Sequence, residues 1–456
     1  MKQYLSSEDT ICAIATAPGG ALGIIRISGQ ETFRCLEKIF SPVREKNLAN
    51  WRSHSILFGH IKNAQDEILD EVLVSIFRGP HSYTGEDSAE ISCHGSSYIL
   101  QQVLELLMQN GCRLAHPGEY TQRAFLNGRM DLSQAEAVAD LIASSSAANH
   151  KIAMSQMRGD FSKELGHLRD QLLHITSLFE LELDFSDHEE LEFADRSELS
   201  RLTDQIITTL SKLVNSFHTG NSIKNGVPVA IIGPTNAGKS TLLNALLHED
   251  RAIVSDIHGT TRDTIEDTIT LGGILFRFID TAGIRETSDQ IESLGIERSF
   301  QMIDRADIVL LITSPDSQLS EAEKKQVYER CEGKTLILLH NKSDLTGPSE
   351  QEENSMSIAA KTGKGIPELE EILISTMTQR IHENDVLITN ARHWEALSRA
   401  LESMQRVKEG LEMNLSGDLV SQDLRETLFH IAEVTGGQIT TDEVLGNIFK
   451  NFCVGK

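Results

Sequence analysis

Residues 233–240 read Gly-Pro-Thr-Asn-Ala-Gly-Lys-Ser, which fits the pattern GxxxxGK[ST]. No other feature of this chain constrains its fold so strongly. The pattern has meaning only between a buried strand and a helix, and both flanks are present. Residues 227–232 are an apolar run of strand length, and residues 241–247 carry helical spacing. The glycines let backbone N–H groups curl around a β-phosphate, and the helix N-terminus adds a favourable dipole. Asn236, Ala237, Gly238, Lys239, Ser240 and Thr241 are therefore the first candidate nucleotide contacts. Lys239 would bring a point charge to the β- and γ-phosphates, and Ser240 a hydroxyl to Mg²⁺.

Further motifs follow in order. Asp280-Thr281-Ala282-Gly283 comes 41 residues after Lys239, behind the apolar run 275–279. Asp280 can reach Mg²⁺ through water, and the Gly283 amide can touch the γ-phosphate. Asn341-Lys342-Ser343-Asp344 starts 61 residues further on, behind the run 335–340. A carboxylate at Asp344 accepts from the N1–H and N2–H₂ of guanine. Adenine has no donors there, so Asp344 selects GTP over ATP. Asn341 can meet the other edge of the base, and Ala359-Ala360-Lys361 stands where the base is backed from behind. Between the first two motifs lies Gly259-Thr260-Thr261-Arg262-Asp263, matching a switch element whose threonine, here Thr261, completes Mg²⁺ coordination. Ile284 follows Gly283, so the glutamine that orients water in Ras-like proteins is missing. No arginine finger is evident, so another group must neutralise the transition-state charge.

The 456 residues suggest two to four domains. With 42 basic and 67 acidic residues the net charge is −25, which argues against broad electrostatic binding to nucleic acid or an anionic membrane. A local basic patch, or contact with nucleic acid through a partner, stays open. Cys12, Cys35, Cys93, Cys112, Cys331 and Cys453 are never closer than 19 residues, which disfavours structural zinc and a dense disulfide frame. The first nine residues are polar, and no apolar run approaches the ~18 residues of a membrane span. A reduced, soluble, cytoplasmic protein without a membrane role is expected.

Pattern divides the chain into three regions. Residues 1–120 read as α+β, with strands at 24–27 and 72–77 and a helix at 99–108 ending at Asn110-Gly111. Residues 121–222 read as helical, with one helix over 131–148 and others over 165–185 and 199–217. The stretch 180–198 has nine carboxylates against one arginine, consistent with a metal site or, more simply, a solvated helix face and loop. Residues 223–381 alternate strands and helices, the mark of a mostly parallel α/β domain. Residues 382–456 return to helices, at 394–413, 419–435 and 442–449. The reading is a multidomain α/β + α protein in which a Ras-like P-loop G domain is inserted into a discontinuous helical domain.

Other segments carry a more specific resemblance. They are Gly23-Ile-Ile-Arg26-Ile-Ser-Gly29, Tyr83-Thr-Gly-Glu86-Asp87, Pro117-Gly-Glu119-Tyr, Ala124-Phe-Leu-Asn127, Leu132-Ser-Gln-Ala135-Glu136-Ala137 and the ending Phe452-Cys453-Val454-Gly455-Lys456. With the inserted G domain, they make the whole chain resemble the MnmE (TrmE) family of tRNA modification GTPases. The resemblance implies an N-terminal α+β domain, residues 1–120, that binds tetrahydrofolate and forms a homodimer. It implies an FAD-containing MnmG-like partner in a heterotetramer. Together the two would convert C5 of the wobble uridine (position 34) of certain tRNAs to an aminomethyl or carboxymethylaminomethyl group, with the carbon from 5-formyl- or methylene-tetrahydrofolate. It also implies GTP hydrolysis stimulated by K⁺ and by G-domain dimerisation.

By motif, Arg26, Glu86, Arg129 and Lys456 match folate contacts, Arg129 standing where relatives often carry lysine. Asn236, Ser255, Ile257 and Thr260 match a K⁺ site. Ser255, Asp256, Ile257, His258, Gly259, Thr260 and Thr261 form the switch loop around the nucleotide. Glu292 matches a residue that positions water, and Cys453 sits in the tail that enters the folate pocket. Lys239, Glu292 and Cys453 are thus the catalytic candidates. The loop 15–23 is shorter and poorer in glycine than the family's. Two other functions compete. A regulatory or ribosome-assembly GTPase would need a basic RNA-binding appendage, and none is visible. A stand-alone folate-dependent enzyme with an accessory G domain would not need the FAD partner.

Overall fold

The runs of alternating apolar residues in the first third of the chain become strands of one sheet. The computed structural model describes residues 9–17, 19–44, 47, 50–184, 196–249, 266–279, 292–345, 355–380, 386–437, 445, 448–450, 452 and 455. It divides into two units. One comprises Met1–Ala143, Met154–Ile206 and Arg399–Lys456; the other comprises Ser144–Ala153 and Ile207–Ser398.

The first unit carries β1 (Ile11–Ile14), β2 (Leu22–Ser28), β3 (Phe40–Pro42), β4 (Ser55–Lys62), β5 (Ile68–Phe77), β6 (Ser88–His94) and β7 (Arg113–Leu114). They form one sheet in the order β3-β4-β5-β6-β2-β1-β7, antiparallel except for the last pair. Period-two alternation puts Val72, Val74 and Ile76 of β5 inside and leaves Leu73 exposed. Two helices, α1 (Thr32–Ile39) and α2 (Ser97–Gln109), bury Phe33, Leu36, Val103 and Leu107 in the same core as Ile25, Ile27 and Ile91. Cys12, Cys35, Cys93 and Cys112 are buried free thiols. Burial pushes the Cys93 thiol up to about 12, which keeps it protonated and unreactive.

The helix expected over 131–148 is two helices, α4 (Leu132–Ala143) and α5 (Ala147–Met157). The interruption has a local cause. Ser144-Ser145-Ser146 favours capping over helix interior, and the Ser146 hydroxyl accepts from the Asn149 N–H at 3.2 Å, starting α5 afresh. At the start of α4, Asp131 accepts from Gln134 N, and Gln134 Oε1 accepts from Asp131 N, a reciprocal cap. The same region holds the short α3 (Glu119–Leu126) before α4 and the long α6 (Asp160–Asp184) and α7 (Arg196–Asn225) after α5. Most of the acidic stretch 180–198 lies outside the described residues.

The second unit is built on β8 (Val227–Ile232), β9 (Asp267–Leu271), β10 (Ile274–Phe278), β11 (Ile308–Thr313), β12 (Thr335–His340) and β13 (Ser355–Ser357), in the order β13-β12-β11-β8-β10-β9. Only β9 and β10 pair antiparallel. β8 and β11, apolar along nearly their whole length, lie at the centre, with Ala230, Ile231, Leu310 and Ile312 fully buried. Helices α8 (Lys239–Glu249), α9 (Glu292–Arg305), α10 (Glu321–Arg330) and α11 (Ile366–Arg380) accompany the sheet. The Lys334 ammonium donates to the carbonyls of Ile303, Asp304 and Ala306, neutralising the C-terminal end of α9. Helices α12 (Ala391–Glu412) and α13 (Gly417–Thr435) follow. The final helix expected over 442–449 lies mostly outside the described residues.

Candidate functional site

The two described nucleotide motifs, at 233–240 and 341–344, sit where parallel strands end, the position at which α/β sheets bind ligands. β8 feeds the 233–238 loop, which opens α8 at Lys239. β12 feeds Asn341–Asp344 in sequence, and Ala359 and Ala360 follow β13. The Lys239 ammonium donates to the carbonyls of Gly233 and Pro234, both at 2.8 Å, and so lies across the loop. Burial lowers its pKa, but two carbonyl acceptors favour the charged form.

Asn341 joins these loops. Its Nδ2 donates to the Ala237 carbonyl at 2.8 Å, and its Oδ1 accepts from the Ala360 N–H at 3.0 Å. The residue is 5% exposed. Sequence reasoning placed Asn341 beside the base; the structure makes it a strut between the 233–238 loop and the 359–361 loop. Gly238, at φ +102°, is required at this junction, because a Cβ there would run into Asn341 Nδ2. Asn236 holds a left-handed φ of +61°, a region asparagine tolerates better than most residues. Asn236, Asp344 and Lys361 are exposed, and Ser240 is half-buried. Ala359 and Ala360 are buried, and Ala359 N donates to Lys364 O at 2.9 Å.

Several expectations fall outside the described residues: Ser255, Asp256, Ile257, His258, Gly259, Thr260, Thr261, Asp280, Thr281, Ala282 and Gly283, and in the tail Cys453 and Lys456. Glu292 begins α9.

A second polar constellation lies in the first unit. Arg26 on β2 donates through Nε and Nη2 to Glu90 Oε1 at 2.9 and 2.7 Å, and through Nη1 to the Gly455 carbonyl at 3.1 Å. Its guanidinium also stands 5.7 Å from the Tyr83 ring centre and 5.6 Å from that of Tyr120. The C-terminal tail is thereby brought to β2. Gly455 has φ +94°, and a Cβ there would approach Ile14 O to 2.6 Å, so only glycine fits.

Glu86 accepts from Ser28 Oγ at 2.8 Å and from Arg123 at 3.1 and 3.2 Å. Arg123, on α3 and nearly buried, also binds Glu119, one turn earlier, at 2.9 Å. Burial raises the Glu119 carboxyl, but the hydrogen bonds from Arg113, His116 N–H and Arg123 outweigh it, and its pKa ends below the ordinary carboxylate value. Arg123 therefore already neutralises Glu86. A ligand would meet Glu86 as a hydrogen-bond acceptor more than as a free charge. Sequence reasoning missed Arg123; its only signal was the i,i+4 spacing from Glu119. Arg129 lines an open groove of about 490 Å³ with His54, Phe77, His81, Ser82 and Tyr83, the last being the residue whose ring also faces Arg26. Among the described residues no group of three or more His, Cys, Asp or Glu side chains could hold a metal ion. No described helix is long and apolar enough to cross a membrane.

Comparison with known proteins agrees with this layout. Residues 10–129 match the family model described as GTP-binding protein TrmE N-terminus, and residues 132–453 match the MnmE helical domain. The tRNA modification GTPase MnmE of Bacteroides thetaiotaomicron is 59% identical over 99% of this chain and 100% of its own length. Those of Parabacteroides distasonis and Flavobacterium johnsoniae are 57% and 50% identical, over 98% and 99% of this chain and the whole of theirs. Among solved structures, Era in complex with MgGDPNP and a 16S ribosomal RNA segment is 22% identical, with a TM-score of 0.25 over 39% of this chain and 66% of its own. The G domain of the T. maritima FeoB iron transporter is 24% identical, with a TM-score of 0.24 over 33% of this chain and 97% of its own. Those two likenesses are too slight to bear on function. The full-length matches and the two family models are decisive: this chain belongs to the MnmE family of tRNA modification GTPases, enzymes that hydrolyse GTP.

Proposed function

We propose that this chain is a K⁺-stimulated GTPase that works with an MnmG-like FAD protein to modify C5 of the wobble uridine in certain tRNAs, drawing one carbon from a tetrahydrofolate. The observation that carries the nucleotide half is the Asn341 junction, which holds the phosphate loop and the base-backing loop in one rigid piece. In that frame Asp344 reads guanine, Lys239 binds the β- and γ-phosphates, and Ser240 and Thr261 hold Mg²⁺, with Asp280 reaching it through water. Bound Mg²⁺ and K⁺ supply positive charge where the leaving phosphate becomes negative. Asn236, exposed at the turn of the phosphate loop, offers a side-chain oxygen for K⁺, with Ser255, Ile257 and Thr260 as partners. Glu292 orients the attacking water in place of the missing glutamine.

The folate half rests on Arg26, Glu86, Arg129 and Lys456. Its support is the Arg26–Gly455 hydrogen bond, which holds Gly455 at β2. Homodimerisation is supported by the outer face of β4 and β5. There Ile56 (66%), Phe58 (49%) and Leu73 (48%) are exposed, with Phe58 and Leu73 directly paired across the strands. A heterotetramer with the FAD protein and a cytoplasmic setting complete the reading.

Phosphate release in matched KCl and NaCl tests the cation. Several-fold faster turnover in K⁺, lost in Asn236→Ala while nucleotide still binds, is expected. Equal rates in the two salts would show that another group neutralises the charge.

A further inference from the structure

Residues 314–317, Ser-Pro-Asp-Ser, form a closed turn after β11. Ser314 N donates to Ser317 O at 3.0 Å, and Ser317 N donates to Ser314 O at 2.9 Å. This pair fixes the backbone of Ser317. Its hydroxyl then reaches across to the phosphate loop and donates to the Thr235 carbonyl at 2.5 Å. The next residue of that loop is Asn236, with its left-handed φ of +61°. The turn also touches the base loop, where Lys342 Nζ lies 3.3 Å from Asp316 Oδ2.

A trans peptide is planar, with its carbonyl oxygen and the following N–H pointing in opposite directions. Pinning Thr235 O therefore pins the direction of the Asn236 N–H. Thr235 and Asn236 are both exposed, so no packing holds that peptide from outside. A short surface peptide beside a glycine-rich loop turns over readily unless something holds it. We propose that Ser317 is a positioning residue for GTP hydrolysis. Its hydroxyl fixes the Thr235–Asn236 peptide so that Asn236 presents its N–H to the terminal phosphate. The role is read in the triphosphate, because the peptide it fixes follows Pro234, whose carbonyl accepts from the same Lys239 ammonium that serves the β- and γ-phosphates.

The inference rests on the reading that the 233–240 loop holds the phosphates, and two variants separate the two. Full-length Ser317→Ala should hydrolyse GTP three- to tenfold more slowly at saturation, as expected when one neutral hydrogen bond is lost. Its GDP affinity should stay within twofold of the parent and its unfolding midpoint should not move. Ser317→Thr, which keeps the hydroxyl, should restore the rate. A Ser317→Ala turnover within twofold of the parent overturns the inference. So does a fall in turnover accompanied by an equal loss of GDP affinity and a lower midpoint, which would mark a merely structural contact. Lys239→Ala should lose GTP binding; if it binds GTP normally, the reading of the loop fails and the Ser317 inference fails with it. If Lys239→Ala loses GTP and Ser317→Ala hydrolyses normally, only the inference fails.

Discussion

Replacing Asn341 with alanine would test whether the two nucleotide loops are one mechanical unit. The side chain is 5% exposed and satisfies two backbone groups, the Ala237 carbonyl at 2.8 Å and the Ala360 N–H at 3.0 Å. Truncation leaves both without their partner. A buried polar group left unpaired costs about 1–3 kcal/mol, so the two together cost about 2–6 kcal/mol. Water reaching the truncated site would recover part of this, which puts the expected loss at the lower end, about 2–4 kcal/mol. The loss must appear in one of two places. If the loops stay formed in the free protein, the unfolding midpoint falls. If they loosen, the cost is met on binding, and GTP affinity falls at least tenfold, since about 1.4 kcal/mol is a factor of ten. Titration calorimetry with GTP and a thermal unfolding scan read both. An Asn341→Ala protein whose GTP affinity stays within twofold and whose midpoint does not move would refute the strut.

Two further outcomes follow from the same geometry. Asp344→Asn should weaken GTP binding by about 1.5–3 kcal/mol, the worth of a charge-assisted hydrogen bond, and shift preference toward xanthosine nucleotides; unchanged affinity in a GTP titration would remove Asp344 from the base site. Arg123→Met should destabilise the first unit by about 3–5 kcal/mol, because it removes the charged partner of the nearly buried Glu86, while Glu119 keeps Arg113 and the His116 N–H, and urea unfolding would read this. The Glu119 pKa is lowered on folding, so its contribution is present above the unfolded value near ~4.3 and is lost as pH falls through the folded value.

Four of the six described strands of the second unit were legible as apolar runs, whereas β9 and β13 were not. Val227–Ile232, Ile308–Thr313 and Thr335–His340 stand where their apolar runs do, because a strand covered on both faces has no polar positions to blur its limits. The phosphate loop was legible because its glycines and lysine lie within eight residues of one another. The rest depended on contacts that spacing cannot show. Asn341 meets Ala237 across 104 positions, and Ser317 meets Thr235 across 82. Arg123 looked like an ordinary helical arginine until the fold brought Glu86 to it from 37 positions away. The break before α5 was written in the sequence, in three consecutive serines, but helical apolar spacing on both sides concealed it. The folate candidates depend on the fold in the same way: Arg26 reaches the Gly455 carbonyl across 429 positions, and Arg129 lines a groove with Tyr83, which also faces Arg26.

The central claim is that GTP hydrolysis at the 233–240 loop drives modification of the wobble uridine. Nucleoside mass spectrometry of bulk tRNA tests it most directly, in a strain lacking the gene and complemented either with this chain or with its Lys239→Ala variant. The account predicts that aminomethyl- and carboxymethylaminomethyl-type uridines disappear in the deletion, return with the intact chain and stay absent with Lys239→Ala. Full modification in the deletion strain, or equal restoration by the variant, would contradict it.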